Sequence, residues 1–362
     1  MKAVVALESN RLDVIDVRID PPGVGEVKIK MAAVGICHSD LSVLNGTVPM
    51  PLPMVLGHEG AGVVAEVGPE VTNVAPGDHV ILSFVPACGR CFFCLRKEPH
   101  FCTAISISGR MLDGTARLHF GDQDLGAMSQ LGCMAEYAIV PAISVVAVDN
   151  SFPLELAALI GCGVMTGVGA VINTAEVKAG STVAVFGCGG VGLSAVQGAR
   201  LAGAKQVIAI DVAEQKLELA KRVGATHIVT GGKDASEAVC KLTTEGWGVD
   251  YSFDFTGMPV VMAQAYRVAR RGGTICIGGI GRYSESFLLN AGLFAPEGKK
   301  IIGCFYGSAN YRIDMPNMLA LAQNHQLDLE SLITRTYSID QAKQAFADLE
   351  AGRNIRGVIL FN

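Results

Sequence analysis

Concentrated charge is what this sequence most lacks. Charged residues make up 17% of the chain, and 29 basic against 34 acidic side chains leave a formal net charge of −5. No segment clusters Lys and Arg, which argues against a nucleic-acid or membrane partner. Uninterrupted apolar stretches of roughly 18 residues, the length of a membrane span, are not found either. The most apolar windows, such as 183–196, are broken by a glycine cluster that marks a turn. The N-terminus enters strand-like Met1-Lys2-Ala3-Val4-Val5-Ala6-Leu7 without the charged, apolar and small-residue succession of an export signal, so the expectation is a cytoplasmic protein. Fixed-period repeats and low-complexity tracts are missing as well.

What is present is apolar: half of the 362 residues, ample for buried cores, in a chain longer than the usual single domain. Eleven cysteines are many for a reducing compartment, where clustered thiols more often bind metal or work catalytically than pair. Four of them fall within fifteen residues and seven are scattered.

The first 150 residues read as β-rich, with loose alternation over 24–33 and short apolar runs at 60–67 and 79–82. After about residue 164 the character changes. Apolar strands at 182–186, 206–210, 227–230, 250–255, 273–278 and 300–304 alternate with helical patterns such as 191–202 and 214–223. Parallel strands need a crossover to return, so this alternation predicts an α/β, doubly wound parallel (Rossmann) sheet. The tail predicts helices at 315–324 and 340–351, the latter with Asp340 as N-cap, and a final strand at 357–361. The expected organisation is a first domain over 1–164, a nucleotide fold over 165–305, and a return of 306–362 to the first domain.

The strand at 183–186 runs into Gly187-Cys188-Gly189-Gly190-Val191-Gly192 and then a helix. The first glycine of this G-x-G-x-x-G permits a tight turn, the second lets a pyrophosphate approach, and the third lets helix and strand pack. The helix N-terminus adds free amides and partial positive charge. Asp211 ends the next strand, nineteen residues after Gly192, where a carboxylate accepts from ribose hydroxyls. It would repel a 2′-phosphate, and Val212 and Ala213 supply no Arg to receive one, which favours NAD over NADP. Lys216 is within reach of the same ribose.

Cys88, Cys91, Cys94 and Cys102 form C-x2-C-x2-C-x7-C, with Gly89 and Arg90 suited to a tight loop. Four thiolates so close can wrap one Zn²⁺ tetrahedrally with no position left for substrate, a structural site in a lobe over 85–103. An iron–sulfur cluster competes for such spacings, but the fourth interval is wrong for one. Cys37, His58-Glu59 and Cys162 are also candidate ligands. Taken singly each reads as a core residue; taken together, two Cys and one His would leave a fourth zinc position open for substrate.

Assembled, these residues resemble the zinc-dependent medium-chain alcohol dehydrogenase family over essentially the whole chain. The resemblance rests on Gly57-His58-Glu59-Gly60-Ala61-Gly62-Val63-Val64, the four-cysteine lobe, Gly161-Cys162-Gly163 and the glycine hexad, in that family's order. Within the family, the nearest branches are those resembling formaldehyde dehydrogenases and aryl-alcohol dehydrogenases. The resemblance implies a β-rich GroES-like catalytic domain beside the Rossmann sheet. It implies that Cys37, His58 and Cys162 hold a catalytic zinc, with Glu59 behind it as an occasional ligand. Asp40 would fix the tautomer of His58, and Ser39 would relay the alcohol proton as hydride passes to the nicotinamide. His38, Thr166 and Arg356 would contact the cofactor.

Two departures matter. Where some members end the relay in a histidine, this chain has Ser42, so the exit runs through Ser42, His38 or water. Residues 155–204 look most like the branch oxidising the glutathione adduct of formaldehyde, yet 41–56 carries no charge and Ser106 stands where that branch places an arginine. Val48, Met50, Phe84, Ile107 and Leu131 would give an apolar wall. The expected substrate is therefore an uncharged, bulky or aromatic primary alcohol and its aldehyde; the thiol-adduct substrate is the alternative. A zinc-free NADPH reductase and a non-catalytic protein keeping the fold are the other readings. The long insertion at 103–133 resembles that of dimeric members and predicts a homodimer paired through its nucleotide sheets, with a tetramer as the alternative.

Overall fold

The computed structural model describes residues 1–361. They divide into two compact units: Met1–Gly163 with Asn310–Gln323 and everything from Leu332 onward, and Val164–Ala309 with Asn324–Ser331.

The spine of the first unit is the strand Glu26–Ile36. Its first half buries Val27, Ile29 and Met31 and turns Lys28 and Lys30 outward, the period-two pattern of a sheet wet on one face. The sheet order is Val145–Val148, His79–Leu82, Gly60–Val67, the spine, Arg356–Leu360 and Ile333–Tyr337, and Tyr137–Pro141 also pairs with the spine. A second sheet of six short strands runs Arg11–Asp16, Lys2–Glu8, Met54–Val55, Gln123–Ala127, Leu118–Phe120, Arg18–Ile19. Register does the positioning: Val34 lies opposite Gly60 and Gly357 opposite Ile36. The end of the spine, the entry to Gly60–Val67 and the start of the last strand therefore meet, bringing Cys37, His58-Glu59 and Arg356 to one place.

In the second unit the parallel strands are ordered His227–Thr230, Gln206–Asp211, Thr182–Phe186, Val249–Asp254, Ala269–Ile277, Lys300–Gly303. This is the doubly wound order, 3-2-1-4-5-6. Thr182–Phe186 is buried along its whole length, as expected of a strand covered by helices on both faces. The fifth strand starts earlier than its sequence suggests because Ala269 pairs with Val249 across an irregular register.

Several expectations are corrected. Ser338, not Asp340, caps the last helix region: its amide donates to Gln341 Oε1 at 2.9 Å, and Asp340 instead meets Lys2 Nζ at 2.7 Å. Residues 324–331 do not rejoin the first unit, because Gln197 holds the backbone of Asp328 through both its donor and its acceptor. The helix expected from Met315 begins at Tyr311, anchored by the buried Tyr311 and Met315, and carries Pro316 within it. A helical run, Leu154–Thr174, is long and apolar enough to cross a membrane; 83% of its most apolar window is buried inside the protein.

Candidate active site

Cys37 ends the spine and caps the helix His38–Leu44. Asp40, three residues on, reaches back so that the Cys37 amide donates to its Oδ2 at 2.9 Å, a capping box that fixes the turn. The other oxygen of Asp40 accepts from the Gly57 amide and from His58 Nδ1, both at 3.1 Å. Cys162 sits in a π-helical turn, Ile160–Val164, a widening of the helix often found at functional sites. These elements bring the two sulfurs and a ring nitrogen of His58 within 4.8 Å of one another, with all three residues buried.

A carboxylate only accepts, so Asp40 leaves the His58 proton on Nδ1 and the lone pair on Nε2. That Nε2 is buried with no hydrogen-bond partner among the described residues. An orphaned imidazole nitrogen beside two thiols is the donor set a zinc ion satisfies, and three protein ligands leave one coordination position for substrate. The three groups also compete for protons, which a bound ion would have to displace. The contact with Cys162, aided by His58 and Arg356, holds the Cys37 thiol well below its ordinary range, and the same contact with burial pushes Cys162 well above. Burial works against charge on His58, but Asp40 and Cys37 outweigh it and hold the imidazole well above its usual value.

Glu59 lies outside this triad of ligand atoms. Its Oε2 accepts from the Gly163 amide at 3.1 Å, and its Oε1 lies 3.5 Å from Arg356 Nε. Burial raises its carboxyl to about 7 against the pull of Arg356. Gly35 and Gly163 make this fit possible, since a Cβ would stand 2.1 Å from Glu59 Oε1 at the first and 2.0 Å from Arg356 Nη2 at the second. Ser39 is half-buried with Oγ 3.7 Å from Cys37 Sγ, and His38 is exposed.

Of the residues expected to wall the substrate, Leu131 is fully buried in the apolar cluster against which Val48, Met50 and Phe84 pack. The Phe84 ring meets His58 edge-on at 5.6 Å. Ile107 does not join them; it is 67% exposed, on an insertion with no periodic pattern to orient it.

The sulfurs of Cys88, Cys91, Cys94 and Cys102 also lie within 4.8 Å of one another. The amides of Cys88 and Ala104 reach the Cys102 sulfur at 3.3 and 3.5 Å. Amides of Cys94 and Thr103 hold Cys91 at about 5, while burial drives Cys102 to about 12.

In the second unit, Gly187 takes φ +89, and a Cβ on Gly192 would stand 1.7 Å from the Gly187 carbonyl. A Cβ on Gly189 would meet nothing within 4 Å, leaving open space above the start of the helix Gly190–Leu201. Asp211 accepts from the Cys188 amide at 2.7 Å and the Ala213 amide at 2.9 Å, which aims its carboxylate beside the glycine turn. Lys216 and Thr166 are half-buried. The sequence reading did not single out Gly35, Tyr337, Asp348 or Asn354. An isolated glycine and a polar helix face carry no signal of what they will pack against.

Two thiol-rich metal-ligand sets and a dinucleotide turn define a zinc-binding oxidoreductase, and comparison with known proteins agrees. Residues 23–150 match the alcohol dehydrogenase GroES-like domain and residues 190–324 the zinc-binding dehydrogenase domain. The chain is 40% identical to the NDMA-dependent alcohol dehydrogenase of Amycolatopsis methanolica, covering 99% of this chain and 98% of that protein. It is 39% identical to the S-(hydroxymethyl)glutathione dehydrogenase of Synechocystis, covering 99% of each. Its fold superposes on the benzyl alcohol dehydrogenase of Acinetobacter calcoaceticus with a TM-score of 0.93 at 32% identity, covering 100% of this chain and 99% of that one. The chain belongs to the zinc-dependent medium-chain alcohol dehydrogenase family.

Proposed function

We propose that this alcohol dehydrogenase oxidises an uncharged, bulky or aromatic primary alcohol to its aldehyde, reversibly, with NAD as hydride acceptor. The observations that carry the substrate reading are an uncharged segment and an aromatic ring against one of the metal ligands. Residues 41–56 contain no charged side chain, and Val48, Met50 and Phe84 pack on one apolar cluster beside His58. A substrate with carboxylates would lose hydration there without gaining a cation. The likeness to a benzyl alcohol dehydrogenase supports an aromatic ring in that space. For the cofactor, the support is the Asp211 carboxylate and the exposed Val212 beside it.

Held by Cys37, His58 and Cys162, zinc would supply the Lewis acidity that lowers the alcohol's pKa. The chain's own groups do the rest. Asp40 fixes the tautomer and orientation of His58. Ser39 moves the alcohol proton outward, toward Ser42, His38 or water, while Phe84, Val48 and Met50 exclude solvent. Asp211 and Lys216 fix the adenosine ribose, the amides of Gly189, Gly190, Val191 and Gly192 take the pyrophosphate, and His38, Thr166 and Arg356 add cofactor contacts. The four-cysteine lobe holds a second, structural zinc. We infer a cytoplasmic homodimer paired edge to edge through its nucleotide sheets, with a tetramer as the alternative.

A second reading is kept because relatives at this identity include S-(hydroxymethyl)glutathione dehydrogenases. One experiment separates them: a panel of aliphatic, allylic and aromatic alcohols, plus formaldehyde with and without glutathione, using NAD⁺ and NADP⁺ in parallel. Aromatic alcohols with NAD⁺ should give the highest kcat/KM, with no thiol requirement. Formaldehyde oxidation that requires glutathione and exceeds every alcohol would replace this substrate assignment. NDMA belongs in the panel as acceptor, since one relative is named for it; turnover only with NDMA would replace free NAD⁺ as the acceptor. Asp211→Gly should move the preference toward NADP⁺, and an unchanged ratio would remove Asp211 as its determinant.

A further inference from the structure

One carboxylate of the helix Ala342–Glu350, Asp348, is completely buried. Four side chains donate to it. Arg335 Nη1 at 2.7 Å and the Tyr337 hydroxyl at 2.8 Å meet one oxygen; Arg353 Nε at 2.7 Å and Gln344 Nε2 at 2.8 Å meet the other. So many donors leave no reason for this carboxyl to take up a proton, and Tyr337 with Arg353 lowers it to about 2.

The network continues along the chain. While donating to Asp348, the Tyr337 hydroxyl accepts from Asn354 Nδ2 at 3.0 Å. The Arg353 amide bonds the Asp348 carbonyl at 2.8 Å, and the Ile355 amide bonds Thr334 Oγ1 at 2.9 Å. Residues 353, 354 and 355 are each pinned, and the next residue is Arg356. Its guanidinium is buried, with Nη1 donating to the Ile36 carbonyl at 3.1 Å and Nε 3.5 Å from Glu59 Oε1. Glu59 is followed across its other oxygen by Gly163, the neighbour of Cys162.

Charge balance gives this placement a purpose. A zinc ion held by two thiolates would be offset by them, so an ionised Glu59 would be left for Arg356, 3.5 Å away, to neutralise. Displacing the guanidinium would leave one buried charge uncompensated.

We propose that Asp348 is a positioning residue for the metal centre: through Arg353, Tyr337 and Asn354 it fixes the backbone that presents Arg356 to Glu59, and so sets how firmly Cys37, His58 and Cys162 retain their metal. This rests on the reading of that triad as a zinc site.

The four-cysteine lobe supplies an internal control. Release of zinc from the purified two-zinc protein into excess chelating dye is followed by absorbance, and Cys94→Ser, which removes the lobe ion, identifies the phase belonging to the triad. Asp348→Asn should accelerate that phase about tenfold, the usual scale for an outer support of a metal site, and leave the lobe phase at its wild-type rate. Tyr337→Phe removes only the bridging hydroxyl and should shift the same phase by less; it keeps the test available where Asp348→Asn folds poorly. Arg356→Gln should accelerate the triad phase, and the double variant Asp348→Asn with Arg356→Gln should be no faster than Arg356→Gln alone, because both act through one group. The proposal is overturned by equal acceleration of both phases, by wild-type rates in both, or by multiplying effects in the double variant. A protein that binds a single zinc per chain, in the lobe, would instead refute the reading of the triad.

Discussion

The two metal-ligand sets differ in where their supporting groups come from. In the lobe, fifteen consecutive residues supply all four thiols, and backbone amides from within that segment and just past its end face the Cys102 sulfur. Around Cys37, His58 and Cys162 the support is side-chain charge gathered from far along the chain: Asp40, Glu59, Arg356 and, behind Arg356, Asp348. A closed tetrathiolate saturates its ion and carries its own scaffold, so it needs little from the rest of the fold. An open site needs ligands that do not collapse onto the free position, and only a framework of fixed charges around them provides that. The costlier arrangement is the one to which we assign the chemistry.

The largest effect expected from breaking this contrast is on turnover. Cys37→Ser or Cys162→Ser should lower kcat by roughly a thousandfold or more, the equivalent of several kcal/mol of lost Lewis-acid stabilisation. Zinc content should fall from two to one per chain while the thermal midpoint moves little. Retained turnover would leave the proposed chemistry without a centre. The lobe should respond the other way. In Cys94→Ser, binding energy that had been folding energy is lost, and the midpoint should fall by roughly 5–10 °C, with kcat within about tenfold of wild type at a permissive temperature. An unchanged midpoint would mean the lobe does not staple the fold.

That contrast also explains what the sequence could reveal. The lobe is legible because its geometry is its spacing. The glycine hexad and Asp211 are legible because strand, turn and helix follow each other in order, and the parallel sheet because strands and helices alternate. The triad is not legible from periodicity: the register of Gly60 against Val34 brings His58 to Cys37, Cys162 arrives on a π-helical turn, and the family resemblance supplied what spacing did not. Asp340 looked like a helix cap because it is acidic at a helix start, but Ser338 and Gln341 cap each other instead. Asp348 carried no signal in the sequence; its burial depends on Arg335 and Arg353, which lie outside its helix and about half-exposed themselves.

The smallest effect sharpens the contrast most, because a scaffold of backbone amides does not titrate and a scaffold of carboxylates does. Asp348 is held at about 2 by Tyr337 and Arg353, below its ordinary 3.8. The folded chain therefore binds fewer protons here than the unfolded chain between these values. The stabilisation is complete above about pH 5 and is lost as pH falls through about 2. Asp348→Asn lacks it at every pH. Urea midpoints of zinc-stripped wild type and Asp348→Asn, compared from pH 6 downward, should differ by a constant amount to about pH 5 and then converge toward pH 2. Stripping the metal first matters, because acid also protonates the thiolates and would release zinc in the same range. A gap that stays the same between pH 5 and 2 would show that the fold keeps this carboxyl no more ionised than the open chain does.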